Sequence, residues 1–335
     1  MAGHHGNATI ADVARAAGVS PATVSRVMND RFAGEPAVAE RVRGAVAELG
    51  YAPSPLARSL ALGRTHAVAF VVPDLANPAF QSVLAGLSKT AAADGYRVLV
   101  ADSGESPAEE APLAMEIRRR TDAIVLCAPR MPEAELASLM PQLGPVVLIN
   151  RRVTESAGPS LAIDYRRGIR AIAEHLYGLG HRGMAYVYGP ERSASNALRE
   201  EGIADFLADH PDVTMAHIPA GTSSDHGQAA AASVRGSGAT AAMAFNDLVA
   251  VGLIGGLRKL GLRVPGDVSV TGFDDIPLAR YLDPALTTAS VSHAELGVLA
   301  WRQMKAVMAG EDPGPHVTFP PRLEVRMSTA PPRSR

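Results

Sequence analysis

The side chains able to do chemistry fall into two groups. One lies near the N-terminus in "SPATVSRVMND" (20–30). A helical period that turns Val24, Val27 and Met28 inward leaves Pro21, Ala22, Ser25, Arg26 and Asn29 outward. Arg26 is the only long donor on that outer side, and arginine pairs bidentately with guanine in a DNA major groove. The other group stands just past short apolar runs: Pro73-Asp74, Asp102, Asn150-Arg151, Asn246-Asp247 and Asp274-Asp275. Carboxylates and amides gathered at one place can hold a polar ligand through paired hydrogen bonds. Catalysis has no residues to carry it. "FVVPDLANPAF" (70–80) stands where a dinucleotide enzyme would have G-x-G-x-x-G, and "GSG" (236–238) precedes a strand rather than following one. No P-loop, G-x-S-x-G elbow or metal-ligand spacing occurs. No enzyme activity, cofactor or metal is expected, and His175 and His181 read as helix-end surface residues.

The elements around the first group are short helices. Thr9 and Asp12 have capping-box spacing ahead of Ile10, Val13, Ala14 and Ala17, so a helix begins at Thr9. Gly18 ends it, and Ser20-Pro21 supplies an N-cap and first-turn proline for a second. A third helix runs from about Pro36 to Leu49 with Val38, Val42, Ala45, Val46 and Leu49 as its apolar stripe and Glu35 as a weak cap. Two helices joined by a tight glycine-containing turn match a helix-turn-helix, and also an ordinary three-helix subdomain. "PSPLARSLA" (53–61) follows, too short to be helical alone, with Leu56 and Leu60 on one face.

Beyond Arg64, apolar runs alternate with helical patterns, the signature of parallel sheets with crossover helices. The expected strands are 67–72, 97–101, 123–127, 146–150 and 161–163, then 183–188, 241–245, 268–273 and 287–291. Two lobes of this kind bind ligands at the carboxyl ends of their strands, in the cleft between them. The 335 residues, 47% hydrophobic and 20% charged, are enough for more than one core and exclude a disordered chain. Seven arginines against five acidic residues in 1–64 make the head weakly basic. The single cysteine, Cys127, fits a reducing compartment, and with no signal peptide or membrane span a cytoplasmic, nucleoid-associated protein is expected.

The words of the sequence are more specific than its periods. "ATIADVARAAGVSPATVSRVMND" (8–30) and "ELGYAPSPLARSLALGRT" (48–65) closely resemble the head and hinge of the lac/galactose repressor (LacI/GalR) family of bacterial transcription regulators. The likeness continues through "HLYGLGHRGMAYVYGP" (175–190), "AFNDLVAVG" (244–252), "VPGDVSVTGFDD" (264–275), "LTTASV" (286–291) and "RLEVRMSTAPP" (322–332). The resemblance implies an all-α helix-turn-helix head at 1–52, a hinge helix at 53–64, and an α/β periplasmic-binding-protein-like body at 65–335. Within the body, lobe one is expected at about 65–163 and 292–321, lobe two at about 164–291 and 322–335. The implied function is a homodimeric repressor of a pseudo-palindromic double-stranded operator, its affinity changed allosterically by a small effector. The DNA-facing set would be Thr9, Ser20, Pro21, Ala22, Thr23, Ser25, Arg26 and Asn29, with Leu56, Ala57 and Leu60 in the minor groove.

For the effector, the resemblance places Ser193, Ser195 and Arg199 at a serine pair and a ligand-contacting arginine, and Phe80, Asn246 and Asp274 at further ligand positions. Asp102 and Asn150 join them as strand-end residues. An arginine with carboxylates and amides in a closing cleft suits a polyhydroxylated ligand, hence a carbohydrate. Around "PAGTSSDHG" (219–227) the family commonly carries a stacking aromatic; here the nearest residue is Thr222. Asn246 and Asp274 could instead cap the helices that follow. The interface between subunits is expected on "LVAVGLIGGL" (248–257) and the helix after Phe80, although a buried crossover helix would look the same. The alternative reading is a transport-type sugar-binding protein with no DNA role.

Overall fold

The computed structural model describes residues 8–29, 31–51, 64–151 and 158–333. The chain divides into two compact units, Met1–Thr65 and His66–Arg335. Leu56, Ala57 and Leu60 lie outside the described residues.

The first unit holds α1 (Ile10–Ala17), α2 (Pro21–Met28) and α3 (Pro36–Leu49). Thr9 caps α1 through the reciprocal box with Asp12, and Gly18 closes it at φ 66°, a conformation that costs a glycine little. Ser20 caps α2 by accepting from the Thr23 amide at 3.1 Å, with Pro21 in its first turn. Glu35 makes no side-chain cap bond to α3. Val13, Ala14, Ala17, Val24, Val27, Val42 and Ala45 form the small core, and Met28 and Val46 pack at its margin. The expected stripe of α3 is shortened: Leu49, in the last turn, is exposed.

The second unit contains two six-stranded sheets. The first comprises β1 (Ala67–Val72), β2 (Arg97–Asp102), β3 (Ala123–Cys127), β4 (Val146–Ile149), β5 (Ser160–Ile163) and β11 (Val317–Phe319), in the order β11-β5-β4-β3-β1-β2, all parallel. The second comprises β6 (Gly183–Tyr188), β7 (Thr214–Pro219), β8 (Ala241–Ala244), β9 (Ser269–Asp274), β10 (Thr287–Ser290) and β12 (Arg322–Glu324), in the order β12-β10-β9-β8-β6-β7, with only β12 antiparallel. The chain crosses between lobes three times, after β5, after β10 and after β11. Central strands β1, β3, β4 and β8 are buried throughout, as parallel strands covered on both faces must be. Sequence reading missed β7, a half-exposed edge strand, and the three-residue strands β11 and β12.

Crossover helices cover the sheets: α4 (Pro78–Ala93), α5 (Pro107–Arg118), α6 (Glu133–Leu143), α7 (Tyr165–Gly178), α8 (Ala194–Asp209), α9 (Ser224–Ser237), α10 (Asp247–Lys259) and α11 (His293–Ala309). Much of the apolar run 248–257 is the inner face of α10, with Val249, Ala250, Leu253, Ile254 and Leu257 buried, as a crossover helix requires. A Cβ at Gly252 would come within 1.7 Å of the Ser224 carbonyl oxygen, so only glycine lets α9 and α10 approach this closely. His181 is not a surface residue: it is 1% exposed and bonded to Thr240 Oγ1 at 2.8 Å and the Ala330 carbonyl at 2.9 Å. Among the described residues no helix is long and apolar enough to cross a membrane.

Candidate functional site

Past the carboxyl ends of both sheets, the two lobes of the second unit enclose a cavity of about 480 Å³, counting the space that opens to solvent. Lobe one contributes Asn77, Phe80, Val83, Glu105, Ala128, Arg130, Asn150 and His293. Lobe two contributes Tyr165, Ser195, Arg199, Thr222, Phe245, Asn246 and Asp274. Four lining residues, Glu105, Ala128, Asn150 and Asp274, hold left-handed backbones with φ of 60°, 50°, 55° and 109°. Non-glycine residues in that region cost free energy and gather where strand ends must turn sharply to present a side chain.

Arg199 projects from the second turn of α8 and is 2% exposed. Its guanidinium carbon lies 4.3 Å from the centre of the Tyr165 ring, 4.6 Å from Phe245 and 4.1 Å from Phe273. These faces attract a cation without neutralising it. Nη1 donates to the Ser195 carbonyl at 3.0 Å, and among the described residues Nε has no partner and no carboxylate pairs with the side chain. A buried charge left this way costs heavily unless a ligand completes its bonds.

Asp274 ends β9, and His293 Nε2 stands 3.6 Å from its Oδ1 without hydrogen bonding to it. Asn150 accepts from the Ile163 amide at 3.0 Å. Asn246 caps α10 through the Val249 amide at 2.8 Å and donates to the Thr222 carbonyl at 3.0 Å, so its capping role and its place in the cavity wall coincide. Ser193, the N-cap of α8, is buried beside the cavity and bonds Ser195 Oγ at 2.8 Å. Burial raises the Tyr165 hydroxyl above its ordinary range, and lifts the Cys127 thiol to about 12, leaving the thiol inert.

Of the eight sequence-derived ligand positions, the structure brings Phe80, Asn150, Ser195, Arg199, Asn246 and Asp274 to this cavity, with Ser193 directly behind. Asp102 is not brought there: its carboxylate accepts from the amides of Leu75 and Gly104 at 2.9 and 2.8 Å and shapes the loop after β1. The acids that follow Asn246 and Asp274 do not line the cavity either. Asp247 is fully buried, accepts from Thr288 Oγ1 at 2.6 Å and the Ile276 amide at 2.8 Å, and burial pushes its carboxyl well above the usual range. Asp275 is paired with Arg280 and Arg326.

Sequence reading missed Glu105 and Arg130. Arg130 Nε and Nη2 donate to the two Glu105 oxygens at 2.6 and 2.9 Å. Its Nη1 donates to the Ala128 carbonyl at 3.1 Å and, across the cleft, to Ser193 Oγ at 3.3 Å. The buried Glu110 accepts from the Arg130 and Met131 amides at 2.7 Å each. Among the described residues, no group of three or more His, Cys, Asp or Glu could hold a metal ion.

In the first unit, Pro21, Ala22 and Arg26 are exposed on one side of α2, and no described residue pairs with the Arg26 guanidinium. Ser20 and Thr23 hydroxyls bond each other at 3.0 Å, Asn29 donates to the Ser25 carbonyl at 2.8 Å, and Thr9 is occupied by its capping box. Of the outward side chains of α2, Arg26 is thus the long donor left without a partner among the described residues.

A helix-turn-helix unit followed by a two-lobed α/β ligand-binding unit defines a DNA-binding transcriptional regulator. The comparisons with known proteins say the same: residues 9–54 match the bacterial regulatory proteins of the lacI family, and residues 173–329 match the periplasmic binding protein-like domain. The chain is 35% identical over 338 residues to the transcriptional regulator GalR of Salmonella typhimurium, covering 97% of each. It superposes on the crystal structure of the lac repressor dimer bound to operator and an anti-inducer with a TM-score of 0.85 at 25% identity, covering 97% of this chain and 100% of that one. A lacI-family regulator from Enterococcus faecium with bound ribose superposes with a TM-score of 0.72 at 26% identity, over 80% and 100% of the two chains. The chain belongs to the lacI family of bacterial regulatory proteins, and the transport-type alternative is not favoured.

Proposed function

We propose that the chain is a cytoplasmic, homodimeric repressor that binds a pseudo-palindromic operator and whose operator affinity is set by a sugar or sugar derivative held between the two lobes. It has no catalytic role in this reading. Domain limits follow the sequence: head 1–52, hinge 53–64 and body 65–335.

The observation that carries the effector reading is Arg199. A guanidinium buried among three aromatic rings, with Nε unpaired and no carboxylate partner among the described residues, calls for an acceptor that those residues do not supply. Asp274 and Asn150 line the cavity from opposite lobes and can share hydrogen bonds with the hydroxyls of a sugar, and Phe80 offers an apolar face to its ring. The bound ribose of the Enterococcus faecium relative supports the same class of ligand.

The test is operator titration of the full chain with and without each member of a sugar panel, paired with thermal melting. A ligand at 100 times its dissociation constant adds about 2.7 kcal/mol of stability, readily seen as a shift in melting temperature. The expected result is one sugar that raises the melting temperature and shifts operator affinity together. Stabilisation without any change in operator affinity would overturn the regulatory reading.

A further inference from the structure

We propose that His293 is a specificity-determining residue of the effector site: together with Asp274 it brackets one free hydroxyl of the ligand and makes that hydroxyl a condition of tight binding. The proposal rests on the reading of the cavity as an effector site.

Among the described residues, His181 and His293 are the two buried histidines. His181 is bonded through both ring nitrogens, whereas His293 Nε2 is buried and has no partner. The ring nevertheless lines the cavity. Its mount is fixed: His293 opens α11, its amide donates to the Val291 carbonyl at 2.9 Å, and α11 lies so close to α4 that a Cβ at Gly86 would come within 2.0 Å of the Ala294 carbonyl oxygen. Burying a polar nitrogen without a partner is costly, so a cavity wall that keeps one is set for a ligand to complete it.

Asp274 faces this nitrogen from the other lobe. Its two acidic neighbours are satisfied within the protein, Asp247 by Thr288 and the Ile276 amide, Asp275 by Arg280 and Arg326. Asp274 accepts no hydrogen bond from a described residue, and its Oδ1 lies 3.6 Å from His293 Nε2, outside hydrogen-bond range. The pair selects the group that can sit beside both. A hydroxyl has one proton, which Asp274 takes, and its oxygen then accepts from Nε2–H. An ether or carbonyl oxygen has nothing to give Asp274, and an ammonium has no lone pair for Nε2–H. Because His293 belongs to lobe one and Asp274 to lobe two, the hydroxyl also ties the lobes, so the contact that selects the ligand favours the arrangement in which they meet.

The experiment is calorimetric titration of the full chain with galactose, ribose and the cyclitol myo-inositol, each beside its monodeoxy and mono-O-methyl analogues. In the parent, one ring position is expected at which deoxygenation and methylation each weaken binding at least about thirtyfold, because the first removes the hydroxyl and the second removes its proton. His293→Leu should cut the cost of deoxygenation at that position about fivefold, and His293→Gln, which keeps a neutral donor, should hold it within about twofold of the parent. A merely structural role for His293 would weaken the hydroxylated and deoxy ligands alike and leave their ratio unmoved. Absence of any such position in the parent, a readout that needs no variant to fold, or an unchanged ratio in folded His293→Leu, would overturn the assignment. If myo-inositol binds and neither sugar does, the carbohydrate reading fails, while His293 is judged on the inositol analogues. If none of the three binds, both readings fall.

Discussion

Arg130 and Ser193 meet across the cleft: Nη1 of the lobe-one arginine donates to the lobe-two serine hydroxyl at 3.3 Å. Ser193 in turn bonds Ser195, whose carbonyl accepts from Arg199. One chain of hydrogen bonds thus runs from the Glu105–Arg130 pair in one lobe to the unpaired guanidinium in the other. Separating the lobes would break the chain at the Arg130–Ser193 link, so under the proposed function an effector touching Arg199 would bias the lobe arrangement through these atoms.

Ser193→Gly isolates that link. Glycine replaces serine as an N-cap at a cost of a few tenths of a kcal/mol, so urea unfolding should change little. Loss of the cross-cleft acceptor removes a hydrogen bond worth about 1 kcal/mol from the closed state, and effector affinity should fall about fivefold. Calorimetric titration beside a denaturation curve checks both parts. Unchanged affinity in the folded variant means that the link plays no part in closure.

Arg26→Ala addresses the DNA-reading helix. With Ser20, Thr23, Ser25 and Asn29 partly occupied within α2, Arg26 is the long donor left for a base edge. Its removal should cost about 1–3 kcal/mol on the best operator and relax preference at one position of each half-site. Binding to a library of operator variants measures this. A uniform loss on every sequence would make Arg26 a phosphate contact only.

How far the sequence could be read depends on what makes each feature. Periodicity and caps found α1, α2 and the buried strands because burial on fixed faces leaves a pattern in the chain. β7 left none: as an edge strand it exposes Thr214, His217 and Pro219, buries only Ile218, and carries no apolar run. The run 248–257 fitted a subunit interface and a buried crossover helix equally, because nothing local says that Gly227, Gly252 and Gly256 bring α9 against it. Asp102 shows the limit of strand-end reasoning, which gives a position but not the direction of the side chain: here it turns back to cap its own loop. Glu105 and Arg130 were invisible for a different reason. They stand 25 residues apart in two loops, and only the folded pair makes them a wall of the site.

His181 supplies a pH dependence. Its burial holds the imidazole below the ordinary histidine range, with Nε2 donating to the Ala330 carbonyl and Nδ1 accepting from Thr240. The folded state therefore resists a proton that the unfolded state accepts. Below about pH 6.5 stability falls by up to about 1.4 kcal/mol per pH unit until the folded-state histidine protonates. Asp247, Glu110 and Asp74, whose carboxyls burial raises, have the opposite sign: their protonated forms favour folding, and that contribution is lost as pH rises through their folded pKa. Comparing parent with His181→Gln by urea unfolding at pH 5, 6 and 7 cancels those carboxylates. The variant should be the less stable at pH 7, and its deficit should shrink toward pH 5. A constant deficit means that His181 does not carry the effect.

Arg199→Met separates effector sensing from folding. The aromatic faces of Tyr165, Phe245 and Phe273 that hold the guanidinium can pack an unbranched apolar chain, and the substitution removes a buried charge with no counterion. Replacing buried charge by fitting hydrocarbon is often neutral or stabilising, so the melting temperature of the unliganded protein should hold or rise. Every donor that Arg199 offers the ligand is lost, and the ligand-induced rise in melting temperature should disappear. Pro21, Ala22 and Arg26, the residues expected to read DNA, belong to the other unit, so affinity for operator without effector should match that of the parent. The effector should then no longer move it. Melting and operator titration, each with and without the sugar, give four numbers. A variant that keeps its effector response places the reading of the ligand in other side chains of the cavity. A variant that loses operator binding outright means that Arg199 sets the lobe arrangement needed for DNA even without ligand.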